Sequence, residues 1–148
     1  MKKIHLYSDG SSLGNPGYGG YCAILKYRDH EKIASGALPD VTNNQMELLA
    51  VIEGLKLLKE PCEVTITSDS SYVVNAINEW LANWVRKDFK KVKNPDLWRK
   101  YLEVAKPHKI KAVWVRGHNG HEENEKCDKI ARGEAEKLQQ SQKESDNG

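Results

Sequence analysis

Two six-residue stretches leave the chain few ways to fold: "IHLYSD" at residues 4–9 and "VTITSD" at 64–69. Each places apolar residues at the first and third positions, Ser at the fifth and Asp at the sixth. A period of two marks a strand with one buried face, so both read as strands with an aspartate at the exit. Set side by side and parallel, they bring Asp9 and Asp69 out at one edge, on the face opposite Ile4, Leu6, Val64 and Ile66. Carboxylates that close repel each other, so either a cation lies between them or one is protonated.

The surrounding pattern fixes the fold class. "KIHLYS", "GGYCAILKY" and "EKIASGAL" read as a three-strand meander punctuated by Gly and Asn-Pro-Gly. After Pro39 the period changes: "TNNQMELLAVIEGLKLLKE" is helical, with Thr42 and Gln45 spaced as a capping box. The strand "EVTITS" follows, then helical "SSYVVNAINEWLANWV" and "NPDLWRKYLEVAK", the strand "KIKAVWV", the loop "RGHNGH" and a last helix, "EENEKCDKIARGEAEKL". A meander calls for antiparallel pairing and strands separated by helices for parallel crossovers. The expected fold is therefore α/β, with a five-stranded mixed sheet. The 148 residues suit one domain, here 1–138, and the apolar-free tail at 139–148 is expected to be disordered.

Composition narrows the setting. The N-terminal apolar run is too short for a signal peptide or a membrane span. Cys22, Cys62 and Cys127 form neither an even set nor a CxxC pair, which predicts a reducing, cytoplasmic compartment. Net charge is only +2, yet between Arg86 and Lys100 seven basic residues face two acids. Trp80, Trp84 and Trp98 bracket that run and Phe89 lies within it. A charge run alone usually marks a solvated face, but basic groups interleaved with aromatics suit a surface that tracks a nucleic-acid backbone.

Two further acids sit on apolar edges. Glu47 heads the helical stripe Ala50, Val51, Gly54, Leu55 and Leu58, where capping of the first turn would account for it. Asp128 is aligned with Ala131 and Ala135 beside Cys127, Ile130 and Leu138. Neither Cys nor His stands at ligand spacing from these acids, so an all-oxygen site for Mg²⁺, with Mn²⁺ as a possible substitute, is expected. Two such ions roughly 3.5–4 Å apart can activate water and stabilise the leaving oxygen of a phosphodiester. No P-loop or dinucleotide fingerprint points to a small-molecule cofactor.

"SDGS", "TNNQMEL", "TSDSSYV" and "VRGHNGHEENEKCDKIA", in this order, resemble the bacterial type 1 ribonuclease H from about Ile4 to Leu138. The resemblance implies the ribonuclease H-like fold, with helices on both faces of the sheet. It implies an endoribonuclease, monomeric, cutting the RNA strand of an RNA/DNA hybrid by a two-metal mechanism to leave 3′-hydroxyl and 5′-phosphate ends. Asp9, Glu47, Asp69 and Asp128 would hold the metal, and His118 would assist proton transfer or product release from a loop flanked by Gly117 and Gly120. His121 matches a second histidine of that motif and is read as structural.

By the same resemblance Gly10, Asn15, Asn43, Asn44 and Ser71 lie on the groove side of the hybrid. Thr42 and Asn94 would hold a DNA-strand phosphate, with helix capping as a compatible role. Trp80, Trp84, Lys87, Lys90, Lys91 and Lys93 match a basic protrusion that grips the DNA strand. Ser71 stands where several relatives have Gln, and the basic stretch is shorter than a full protrusion, which predicts weaker, salt-sensitive binding. Other readings are a relative of the same fold acting on another polynucleotide, such as a resolvase, integrase core or exonuclease, and a non-catalytic hybrid-binding module. The "TNNQMEL" and "GHNGH" stretches argue against the first, and four intact acids against the second.

Overall fold

The computed structural model describes residues 1–117 and 120–147. Five strands, β1 (Lys2–Ser12), β2 (Gly17–Tyr27), β3 (His30–Val41), β4 (Cys62–Ser68) and β5 (Lys109–Trp114), form one sheet in the order β3-β2-β1-β4-β5. The first three pair antiparallel, while β4 is parallel to both β1 and β5. This is the mixed α/β sheet expected from the order of elements.

Alternation along the strands sorts side chains into two layers. Ile4 and Leu6 of β1, level with Val64 and Ile66 of β4, face a core completed by Leu48, Val51 and Leu55 of α1 (Asn43–Leu55) and by Trp98 and Tyr101 of α4 (Pro95–Ala105). Tyr7, Cys22 and Ile24 point the other way, against Cys127, Ile130 and Ala131 of α5 (Glu122–Asn147). Helices therefore cover both faces. Among the described residues no helix is long and apolar enough to cross a membrane.

Several expectations are corrected. Asp9 is not at the exit of its strand: the parallel ladder ends at Tyr7 opposite Thr67, but β1 continues to Ser12 because β2 still supplies partners, Asp9 facing Cys22. β3 runs past Pro39, which is tolerated because this is an edge strand with an irregular register near Gly17 and Gly19. The helical stretch after β4 divides into α2 (Ser71–Asn75), a wider π-helical turn (Ala76–Trp80) and α3 (Leu81–Arg86). The tail expected to be disordered continues α5 to Asn147. Adding residues to an existing helix gains a backbone bond for each residue fixed, and amide–carboxylate bonds from Gln140 to Glu144 and Gln142 to Asp146, each 3.2 Å, support the exposed end.

Candidate active site

The sheet and the two helices that flank it deliver acids to one point. Asp69 is the first residue beyond β4, and Asp9 lies two residues past the end of the parallel ladder. Glu47 comes from α1. It occupies the fifth position of that helix rather than its first turn, and Thr42 supplies the cap: Thr42 Oγ1 accepts from Gln45 N–H at 3.2 Å while Gln45 Oε1 accepts from Thr42 N–H at 2.9 Å. Capping therefore does not explain Glu47, whose carboxylate accepts the backbone N–H of Gly10. Glycine is required for that approach, since a Cβ on Gly10 would lie 2.3 Å from the backbone nitrogen of Glu47.

One ligand oxygen each from Asp9, Glu47 and Asp69 lies within 4.8 Å of the others. Asp9 and Glu47 are buried and Asp69 is half-buried. Asp128, on α5, adds its charge to Asp9 and shares a small cavity with Asp69, Gly117, His121 and Asn124. Asn124 Nδ2 donates a hydrogen bond to the Thr67 carbonyl at 3.2 Å, which fixes the start of α5 against the end of β4. Arg132 pairs with Asp128 at 3.3 Å, one helical turn on.

The electrostatics are unfavourable for a bare site. Burial, reinforced by the charges of Asp69 and Asp128, pushes Asp9 up to about 7 despite a hydrogen bond with Glu47. Glu47 is raised well above the usual carboxylate range, by burial first and by Asp9 next. The Gly10 N–H, shared between Glu47 and Asp9 Oδ1, is too little positive charge to offset these acids. A hard divalent cation would, and an all-oxygen donor set suits Mg²⁺ or Mn²⁺.

The model of the family described as RNase H matches residues 1–136, a stretch that includes all four acids. The chain belongs to the RNase H family. It is 64% identical over 140 residues to the Ribonuclease H of Sulfurovum sp. (strain NBC37-1), covering 95% of both chains. It is 61% identical over 137 residues to the Ribonuclease HI of Helicobacter pylori (strain ATCC 700392 / 26695), covering 93% of this chain and 96% of that one. Among solved structures, LC9-RNase H1, described as a type 1 RNase H with the type 2 active-site motif, superposes with a TM-score of 0.84 at 27% identity, covering 91% of this chain and 72% of that one. The resemblance to bacterial type 1 ribonuclease H holds across nearly the whole chain.

The other expected site residues fall into groups. Exposed Asn15 and Asn43 are tied together: Asn15 Oδ1 accepts from Asn43 N–H at 3.0 Å, and Asn43 Oδ1 from Ser12 N–H at 3.2 Å. Asn44 is exposed next to them, and Ser71 is exposed at the first position of α2. Asn94, left-handed at φ 56°, makes no side-chain cap; its amide bridges Gln45 and Tyr72, at 3.1 and 3.2 Å. His118 lies outside the described residues.

Within the basic stretch Lys87, Lys90, Lys91 and Lys93 are exposed, as is Trp80. Phe89 and Trp98 are not part of a stacking surface. Both are buried, with Arg99 over the Phe89 ring. Trp84 is half-buried with its ring edge-on to Trp98, centroids 5.6 Å apart. Tyr72 and Trp114, which carry no sequence signal, also shape the site, and Gly117, expected only as a flank of the His118 loop, lies against the Asp69 carboxylate.

Proposed function

We propose that this protein is a metal-dependent endoribonuclease that hydrolyses the RNA strand of RNA/DNA hybrids, leaving 3′-hydroxyl and 5′-phosphate ends. The convergence of Asp9, Glu47 and Asp69 on one point, with Asp128 beside it, carries the reading. These four carboxylates would hold two divalent ions, Mg²⁺ or in its place Mn²⁺, which supply a water nucleophile at neutral pH and stabilise charge on the leaving oxygen. The chain's own groups do the rest. Gly10 N–H orients Asp9 and Glu47, and His118 would move a proton to or from the products.

Substrate selection follows from the neighbouring surface. Asn43 and Asn44, exposed at the start of α1, and Asn15 of the β1–β2 turn, bonded to Asn43, would read ribose 2′-hydroxyls and base edges in the minor groove of the hybrid. Thr42 and Asn94, joined through Gln45, would receive a phosphate of the DNA strand. The lysines from Lys87 to Lys93 and the exposed ring of Trp80 would follow that strand further. Three free, buried cysteines suit a reducing compartment such as the cytoplasm.

The test is one labelled strand sequence presented as hybrid, duplex RNA, single-stranded RNA and duplex DNA, with Mg²⁺, with Mn²⁺ and with chelator. Metal-dependent cutting of RNA in the hybrid alone is expected. Hybrid binding without cutting under either metal would overturn the enzymatic reading.

A further inference from the structure

Trp114 ends β5 on the edge of the sheet, and its side chain is 52% exposed. Burial of apolar area is a poor account of a tryptophan left half in water. Its hydrogen bond is more telling: the indole Nε1–H donates to the backbone carbonyl of Asp69 at 3.0 Å, across 45 residues of sequence. Asp69 is the point at which β4 leaves the sheet, so its carbonyl no longer has a ladder partner assured by strand pairing. The indole supplies one.

The rest of the turn is held from both sides. Val115 N–H donates to the Ser68 carbonyl at 2.9 Å, extending the β4–β5 pairing by one bond. Ser68 Oγ accepts from Ser70 N–H at 3.0 Å, and Ser70 Oγ caps α2 through Val73 N–H at 3.2 Å. On the far side Gly117 abuts the carboxylate itself: a Cβ there would lie 2.8 Å from Asp69 Oδ2. Residues 114–117 thus lie against Asp69 at both its carbonyl and its carboxylate, and the bond to the carbonyl comes from the Trp114 side chain.

We propose that Trp114 is a positioning residue that fixes the Asp69 carboxylate for metal binding by holding the Asp69 backbone carbonyl. The inference rests on the reading of Asp69 as a metal ligand. Groups one step removed from a ligand set its orientation, and their loss typically lowers metal affinity or activity by about 10–100-fold. Because the ring is half in water, Trp114→Phe removes the N–H and keeps most of the packing.

The experiment compares wild type, Trp114→Phe and Asp69→Asn. Mn²⁺ affinity is measured without substrate by calorimetric titration, and kcat and KM on a hybrid are measured in Mg²⁺. For Trp114→Phe, Mn²⁺ affinity and kcat are expected to fall about tenfold, with KM within twofold of wild type and the thermal midpoint little changed. A second measurement uses the wild type alone: the Trp114 indole N–H resonance is expected to shift as Mg²⁺ is added to the apoprotein. Mn²⁺ affinity and kcat within twofold of wild type in Trp114→Phe, or an indole resonance indifferent to Mg²⁺, would overturn the proposal. Unchanged Mn²⁺ affinity and cleavage in Asp69→Asn would instead remove the metal-site reading, and this inference with it.

Discussion

The backbone N–H of Gly10 donates to the carboxylate of Glu47, 37 residues further along the chain. The bond brings the last third of β1 against the second turn of α1 and leaves no room between them for a side chain. Gly10→Ala would place its Cβ 2.3 Å from the backbone of Met46 and Glu47, so α1 must move away from the strand. Overpacking of this kind costs about 1–3 kcal/mol. The expected result is a matching loss of stability in urea denaturation together with a loss of hybrid cleavage larger than stability alone explains.

Asp9 makes the metal-free protein sensitive to pH. Its pKa in the fold, about 7, lies above the ordinary value of 3.8, so the folded protein binds a proton there that the unfolded chain has released. That contribution is fully present below pH ~4 and is lost as pH rises through ~7. Asp9→Asn removes the penalty, and in chelator at pH 8 it is expected to be more stable than wild type by on the order of 2–4 kcal/mol. The gap should close toward pH 4, and Mg²⁺ should narrow it at pH 8 by stabilising wild type alone. Thermal melts across pH, with and without Mg²⁺, check this. The same variant is expected to bind hybrid and not cut it.

The legible part of the site is the part written in local periodicity. The shared pattern of β1 and β4 places Asp9 and Asp69 each two residues beyond the last paired position, Tyr7 opposite Thr67, and is readable because alternation with period two is a property of each strand alone. Thr42 and Gln45 form their capping box within four residues, so that too can be read directly. Glu47 is legible as an acid on an apolar edge, but its bond to Gly10 depends on how closely α1 crosses β1. Trp114 carries no periodic signal, since its partner is the carbonyl of Asp69 in the turn beyond β4. Phe89 misleads for a related reason: the turn around it, with positive φ at Asp88, Phe89 and Lys91, directs the ring into the core and the lysines outward.

That division between anchor and surface separates the roles of two neighbouring tryptophans. Trp84 leans on fully buried Trp98, so Trp84→Ala is expected to destabilise the fold by about 3 kcal/mol, the low end for a large aromatic. Trp80 is more exposed, with its ring 5.8 Å from that of Trp84, and Trp80→Ala is expected to cost less stability than Trp84→Ala while weakening hybrid binding. Replacing Lys90 and Lys91 by Ala should lower the slope of log affinity against log salt by about one unit for each phosphate no longer neutralised. An unchanged slope would take these lysines out of the interface.

Tyr72 joins the core to the residues proposed to receive phosphate. Its hydroxyl accepts from Trp98 Nε1–H at 2.8 Å and from Asn94 Nδ2 at 3.2 Å. Trp98 is fully buried, so Tyr72→Phe leaves an indole N–H with neither a protein acceptor nor water. Such a group costs about 1–3 kcal/mol, which urea denaturation should register. The Asn94 side chain would keep its bond to Gln45 and lose the one to Tyr72, so its amide would be oriented by one partner instead of two. Hybrid affinity is therefore expected to fall with kcat at saturation nearly unchanged, because the carboxylates lie on other elements. A double variant with Asn94→Ala tests the link: if Asn94 acts through the orientation Tyr72 imposes, its removal costs less affinity in the Tyr72→Phe background than in wild type. Additive losses would mean that the two residues act independently.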